Sequence, residues 1–235
     1  MKKKLFNNWS NIAHRGLHDE IIPENSISSF KEALKNNYVI ELDIHLIKDN
    51  NIVVFHDDNL KRMAGIDARI KEKTYKELKK IKLLNSNEKI PLFKDVLKLI
   101  NGQVPILIEL KYDQKVGKLE KETISLLKNY NGEFYFQSFR LRSLIYLKRK
   151  MKCVIGLLIH SKKSKFYDLF TNYFFLKLFK IDFISYPLKK LPNKKIMKLY
   201  KKIPVLTWTI KKETQQKLAS KYSDRVIFEQ IKLVK

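Results

Sequence analysis

Acids, imidazoles and cations recur in this chain at the ends of apolar runs, where charge is costly unless something there uses it. His14-Arg15 closes the run Asn11–Arg15. The run Tyr38–Ile44 carries Glu41-Leu42-Asp43, and a third run ends Ile108-Glu109-Leu110-Lys111. On a strand, residues two apart point the same way, so Glu41 and Asp43 face one point, and Glu109 and Lys111 share a face. Two carboxylates do not share a dry site unless a cation lies between them. Hard oxygen donors suit Ca²⁺ or Mg²⁺ rather than zinc, and Glu109 can add a third oxygen from a neighbouring strand. His56 follows the run Ile52–Phe55 and precedes Asp57-Asp58. Two imidazoles supply an acid and a base near neutral pH. Trp208 lies near the end of the run Ile203–Thr209, where it either packs a core or walls a pocket. Taken singly, the acids read equally as lysine salt bridges and His14-Arg15 as a strand cap with a surface pair. Taken together, they have the electrostatics of a metal-dependent site for a phosphate ester.

Such groups need a scaffold that brings several strand ends to one place. Eight short runs rich in Ile, Val, Phe or Leu have the length of buried strands: Asn11–Arg15, Tyr38–Ile44, Pro105–Leu110, Glu133–Phe139, Cys153–Ile159, Asp182–Tyr186, Ile203–Thr209 and Arg225–Glu229. Amphipathic segments at Ser26–Lys35, Leu92–Ile100, Val116–Lys128, Leu141–Lys150, Asn193–Lys201 and Glu213–Ala219 alternate with them as helices. Eight alternations predict an α/β fold, a TIM-type (β/α)8 barrel whose chemistry sits at the C-terminal strand ends. One insertion, about 44–90, interrupts the rhythm after strand two. Ile44–Lys48 and Ile52–His56 flank Asp49-Asn50-Asn51 as a hairpin, and a helix near Tyr75–Ile81 follows. No Pro-, Gly- or Ser-rich linker divides the 235 residues, so the expectation is one barrel domain over 1–235.

Composition narrows the partners. The formal net charge is +25, from 49 Lys and Arg against 24 Asp and Glu, which attracts anions of every kind. With 42 Lys against 7 Arg, spread along the chain, the excess does not have the arginine-rich character of base-reading or bidentate phosphate surfaces. Nucleic acid is therefore not the expected partner. Cys153 is the lone cysteine, which excludes a disulfide framework and a cysteine-based zinc site. No apolar run reaches the roughly 18 residues of a membrane span, and the lysine-rich start lacks the apolar core of a signal peptide. A cytoplasmic setting is expected.

Ile12-Ala13-His14-Arg15-Gly16, Pro23-Glu24-Asn25-Ser26, Glu41-Leu42-Asp43 and Val54-Phe55-His56-Asp57 resemble the motifs of the glycerophosphodiester phosphodiesterase family. Spacers of 25 residues (16–40) and 12 residues (44–55) separate the His-Arg, Glu-x-Asp and second His elements. Ile108–Lys111, Gln137-Ser138-Phe139 and Val205–Ile210 are similar to later family motifs, so the resemblance runs from about 11 to 230. It implies a TIM-type barrel that hydrolyses glycerophosphodiesters to an alcohol and glycerol 3-phosphate. It implies that His14 and His56 are the general acid/base pair. Glu41, Asp43 and Glu109 would hold one divalent cation, Mg²⁺ or Ca²⁺. Arg15 and Lys111 would contact the phosphoryl oxygens, Trp208 would line the glycerol side, and Glu24 and Asn25 would border the site.

The chain also departs from that family's pattern. The usual Trp-Thr-Val-Asn reads Trp208-Thr209-Ile210-Lys211, and the usual Thr-Asp-x-Pro reads Phe228-Glu229-Gln230-Ile231. With the sequence stopping at Lys235, the expected barrel lacks its last helix. Its exposed wall would be covered by the N-terminal segment, a partner chain or a membrane. Phe166, Phe170, Tyr173 and Phe174, among Lys162, Lys163, Lys165, Lys177 and Lys180, would share one helical face. That face either packs on the barrel or touches an anionic membrane peripherally, which would suit a lysophospholipase D-like activity. A third reading, of another class, is a non-catalytic basic module that binds membrane or nucleic acid. The site set described above is more than such a module needs.

Overall fold

The computed structural model describes residues 5–111, 115–159 and 167–231. Each expected apolar run carries a strand: β1 (Ile12–Ala13), β2 (Val39–Leu46), β4 (Ile106–Leu110), β5 (Phe134–Ser138), β6 (Val154–Leu158), β7 (Phe183–Pro187), β8 (Val205–Ile210) and β9 (Arg225–Phe228), with β3 (Ile52–Val54) added by the insertion. All but β3 are parallel to their neighbours, and β1 pairs with both β2 and β9, which closes an eight-stranded barrel. β3 runs antiparallel to β2 in the register Ile44↔Val54 and Leu46↔Ile52, the predicted hairpin.

Helices cover the outside where the apolar periodicity switches to the helical one. They span Ile27–Lys35, Phe93–Ile100, Lys118–Leu127, Leu141–Lys150, Lys194–Tyr200 and Glu213–Ala219. Ser26 starts the first by accepting from the Ser29 N–H while Ser29 returns the bond, a capping box. No helix follows β9 among the described residues, and none of the described helices is long and apolar enough to cross a membrane. The insertion has its own small core, in which Val53, Phe55, Leu60, Met63, Ile70 and Leu78 pack together. Its helix Tyr75–Leu78 was expected; the short helix Lys61–Ala64 was not.

Two expectations need correction. The N-terminal segment does not lie on the barrel wall; it plugs the N-terminal mouth. Phe6 and Trp9 join the inward residues Ile12, Val39, Leu107, Phe183, Leu206 and Ile227 in one buried cluster. Trp9 lies 4.6 Å from the Tyr135 ring, and its Nε1 donates to Glu133 Oε1 at 2.8 Å. The aromatic stripe through 166–174 is not one helical face either. Lys162, Lys163, Lys165 and Phe166 lie outside the described residues. Beyond them the chain forms two short helices, Tyr167–Phe170 and Tyr173–Leu178, because Asn172 Oδ1 caps the second by accepting from the N–H groups of Phe174 and Phe175. Tyr167 is buried, Phe170 and Phe175 stack at 5.9 Å, and Phe174 is left pointing outward.

Inside the barrel the fit is tight. A Cβ on Gly156 of β6 would lie 2.0 Å from the buried Phe183 ring. Gly156→Ala is therefore expected to destabilise the fold by about 1–3 kcal/mol through overpacking, measured as a lower urea midpoint with an unchanged slope.

Candidate active site

The upper ends of β1, β4, β5, β6, β8 and β9, with the insertion, surround a cavity of about 220 Å³, lined by His14, Arg15, His56, Glu109, Lys111, Gln137, Phe139, Leu158, Trp208, Thr209 and Ile227. Three buried carboxylates meet at its floor, Glu109 lining it and Glu41 and Asp43 below. Oxygens of Glu41, Asp43 and Glu109 come within 4.8 Å of one another, as the strand periodicity and the β2–β4 register Asp43↔Glu109 require. Lys111 Nζ bridges two of them, 2.8 Å from Asp43 Oδ1 and 2.6 Å from Glu109 Oε1. The Arg15 guanidinium reaches Asp43 at 3.4 Å.

The environments of the three acids differ. Burial, then the charges of Asp43 and Glu109, push Glu41 well above the usual carboxylate range. Burial and Asp43 raise Glu109, against Lys111. Asp43 is also buried, yet Lys111 and Arg15 hold it well below that range. Although burial works against its charge, Asp43 and Glu109 keep the Lys111 ammonium far above the ordinary lysine value. Asp43 Oδ1 makes no well-aligned hydrogen bond, which suits a cation ligand. Gln137 fixes Glu41 by donating to Oε1 at 3.2 Å, and is itself held by Ser185 at 2.9 Å.

The turn after β1 presents the first histidine and arginine. Arg15 and Gly16 both take positive φ, 56° and 78°, and a Cβ on Gly16 would sit 2.4 Å from Ser29 Oγ. This left-handed turn aims the Arg15 N–H at Glu41 Oε2, 3.0 Å away. His14 Nδ1 lies 2.5 Å from Glu229 Oε2, and Glu229 Oε1 lies 2.6 Å from Lys211 Nζ. Burial lowers His14 to about 4, with Arg15 assisting and the Glu229 hydrogen bond opposing. The ring is therefore neutral near pH 7. Burial opposes the charge of Glu229 as well, but His14 and Lys211 pull it below the usual range. A carboxylate can only accept, so the proton rests on Nδ1 and Nε2 keeps its lone pair.

The second histidine has a parallel arrangement. His56 Nδ1 lies 2.5 Å from Asp57 Oδ1, and Asp57 Oδ2 accepts from Arg62 Nε at 2.6 Å. Arg62 also donates to both oxygens of Glu24, at 2.6 and 3.0 Å, and Glu24 accepts from Arg15 at 2.8 Å. Asn25 Nδ2 donates to Asp43 Oδ2 at 2.9 Å. Glu24 and Asn25 thus brace Arg15 and Asp43; neither lines the cavity. His14, Arg15, His56, Glu109, Lys111 and Trp208 do line it, with Glu41 and Asp43 directly below. The sequence reading missed Glu229, Lys211 and Arg62 as partners of the site, although the first two stood out as departures from a motif. Phe139 meets Trp208 edge-on at 6.2 Å, and the indole Nε1 is buried without a partner.

The sequence model of the glycerophosphoryl diester phosphodiesterase family matches residues 14–228. The chain belongs to this family. Among curated relatives, YhdW of Bacillus subtilis is 39% identical over 147 residues, covering 57% of this chain and 58% of that protein. The lysophospholipase D GDPD1 of Homo sapiens is 34% identical over 135 residues, covering 52% of this chain and 42% of its own length. The chain spans about half the length of these curated relatives. Among solved structures, a phosphodiesterase of Oleispira antarctica in complex with sn-glycerol-3-phosphate superposes with a TM-score of 0.80 at 22% identity, over 96% of this chain and 94% of that one. The shared family barrel explains why the motif residues, distant in sequence, converge at one mouth.

The fit of the acid cluster to a cation is directly testable. A divalent ion held by these carboxylates would compete with the proton that Glu41 favours, so its stabilising effect is expected to shrink as pH falls. At about a hundred times its dissociation constant, Mg²⁺ or Ca²⁺ is expected to add about 2.7 kcal/mol at pH 7, read as a rise in Tm. The rise disappears in Asp43→Asn.

Proposed function

We propose that the chain is a divalent-metal-dependent phosphodiesterase, a single barrel domain that hydrolyses glycerophosphodiesters to an alcohol and glycerol 3-phosphate. The observation that carries this reading is that two histidines, each held by a carboxylate at Nδ1, share one cavity with three buried carboxylates and two fixed cations. The Oleispira antarctica structure holding sn-glycerol-3-phosphate supports it through the common fold.

Glu41, Asp43 and Glu109 would hold the ion, and hard oxygen donors favour Mg²⁺ or Ca²⁺, whose charge supplies electrostatic stabilisation of the phosphoryl oxygens. Arg15 and Lys111 add positive charge on the same side, fixed by Glu24 and by the acids themselves. His14, neutral and carrying its proton on Nδ1, offers Nε2 as a base to the attacking hydroxyl. His56, steadied by Asp57, gives a proton to the departing alcohol oxygen. Trp208 and Phe139, in edge-on contact, wall the glycerol side.

A second reading, a lysophospholipase D-like activity, is favoured by the similarity to GDPD1 of Homo sapiens. A cavity of about 220 Å³ fits a glycerophosphoryl group better than an acyl chain, so soluble diesters are the first choice.

The test is release of glycerol 3-phosphate from glycerophosphocholine and glycerophosphoethanolamine, with Mg²⁺, Ca²⁺ or chelator. Metal-dependent release is expected, reduced about 10²–10⁴-fold in His14→Ala and in His56→Ala. Release that survives chelator and both substitutions would overturn the reading. Turnover of lysophospholipid alone would move it to the second. A finer expectation concerns Glu229, which orients His14. Glu229→Gln lowers kcat about a hundredfold with KM little changed, because substrate contacts remain and only the base is misaligned. Parallel losses in kcat and Tm would assign Glu229 a merely structural part.

A further inference from the structure

We infer that the barrel carries a second binding surface, a dock for an anionic membrane, built on the helix Tyr173–Leu178 and the chain entering β7 and β8. A cavity of about 360 Å³ lies there, larger than the one at the active-site mouth. Its lining includes Tyr173, Lys177, Lys180, Lys202, Lys148 and Asp182. Asp182 is the acid in this lining, and Lys148 takes it at 2.5 Å. Lys177, Lys180 and Lys202 have no acidic partner among the described residues, and Lys202 Nζ stands 5.1 Å over the Tyr173 ring. The cavity is therefore cationic and walled on one side by an aromatic face.

The apolar half of the surface lies on the same helix. Leu176 is fully buried, and Phe175 and Phe179 pack on the core. Phe174 and Leu178, one turn apart, are 76% and 74% exposed. Tyr173 and Lys177, four apart on the helix, face the cavity, and Lys180 joins them from the left-handed turn after it, while 174 and 178 form the adjacent outward stripe. The helix thus presents large apolar side chains beside unpaired ammonium groups. That is the chemistry of an interfacial helix, which sinks its apolar stripe below the headgroups while its lysines engage lipid phosphates. The net charge of +25 supports approach to such a surface. A nucleic acid would use the lysines but leave Phe174 and Leu178 in water, so the bilayer is the partner this surface fits.

Position matters as well. Lys180, Asp182 and Lys202 precede β7 and β8, so the cavity is at the N-terminal end of the barrel, opposite the mouth that holds His14 and His56. Docking there tethers the protein while its mouth stays open to soluble diesters. This inference does not depend on the proposed activity.

The experiment is co-sedimentation with vesicles of phosphatidylcholine alone or mixed equally with phosphatidylglycerol. It uses the whole chain, the double variant Phe174→Ser/Leu178→Ser and the triple variant Lys177→Glu/Lys180→Glu/Lys202→Glu. The expected result is binding to the phosphatidylglycerol vesicles alone, weakened about tenfold or more in either variant, with Tm unchanged. Equal binding by the apolar double variant, whose charge is unaltered, would reduce the effect to net charge and overturn the inference. So would vesicles that never bind while a 20-nucleotide RNA binds through the lysines. Dimerisation lost in Phe174→Ser/Leu178→Ser would assign the stripe to a second copy instead.

Discussion

Three carboxylates meet at one level of a barrel whose lower layer is apolar, and their mutual repulsion is the constraint to which the upper half of the fold responds. At the effective dielectric of a protein, two like charges about 4 Å apart repel by about 4 kcal/mol. Arg15 and Lys111 offset part of this, one from the turn after β1 and one from the end of β4. With all three ionised, two cations against three carboxylates leave one negative charge. A divalent ion would make the site positive by one, and a phosphodiester anion would neutralise it. The acid that favours a proton, Glu41, is the deepest of the three and the one farthest from Lys111's direct contacts.

The same economy of charge sets the two histidines. Each has its Nδ1 against a carboxylate, and each carboxylate has a cation behind it: Glu229 with Lys211, Asp57 with Arg62. The second series continues through Glu24 to Arg15, so the insertion after β2 is tied into the first βα turn. That tie gives the insertion a reason beyond its own core. It carries His56 just beyond the return strand of the hairpin and Arg62 on the short helix that follows. Both must be held against the mouth for the two imidazoles to face one cavity.

The barrel was legible in the sequence because each strand reads locally, as an apolar run bounded by polar turns. The acids were legible for the same reason: period two puts Glu41 with Asp43, and Glu109 with Lys111, on single faces. What was not legible lies in pairings across elements. Arg62 looks like any surface arginine until the hairpin brings it to Asp57 and Glu24. The N-terminal plug depends on Trp9 reaching Glu133, 124 residues away. The aromatic stripe failed because helical spacing was carried through Asn172, whose side chain instead begins a new helix.

Lys211 and Glu229 illustrate how two apparent departures can be one feature. β8 and β9 are neighbours, and the Glu229 N–H donates to the Ile210 carbonyl at 3.0 Å, so the residues after these strands emerge side by side. A glutamate at that point reaches across to His14, just beyond β1, but its charge lies in a partly buried place. The lysine beside it supplies the opposite charge, at 2.6 Å, from the exposed rim. Without Lys211, the Glu229 carboxylate would lack its cation beside the base; together they orient His14 and balance charge. The pair is therefore one charge-balanced unit, built from two neighbouring strand ends, that fixes the orientation of the imidazole.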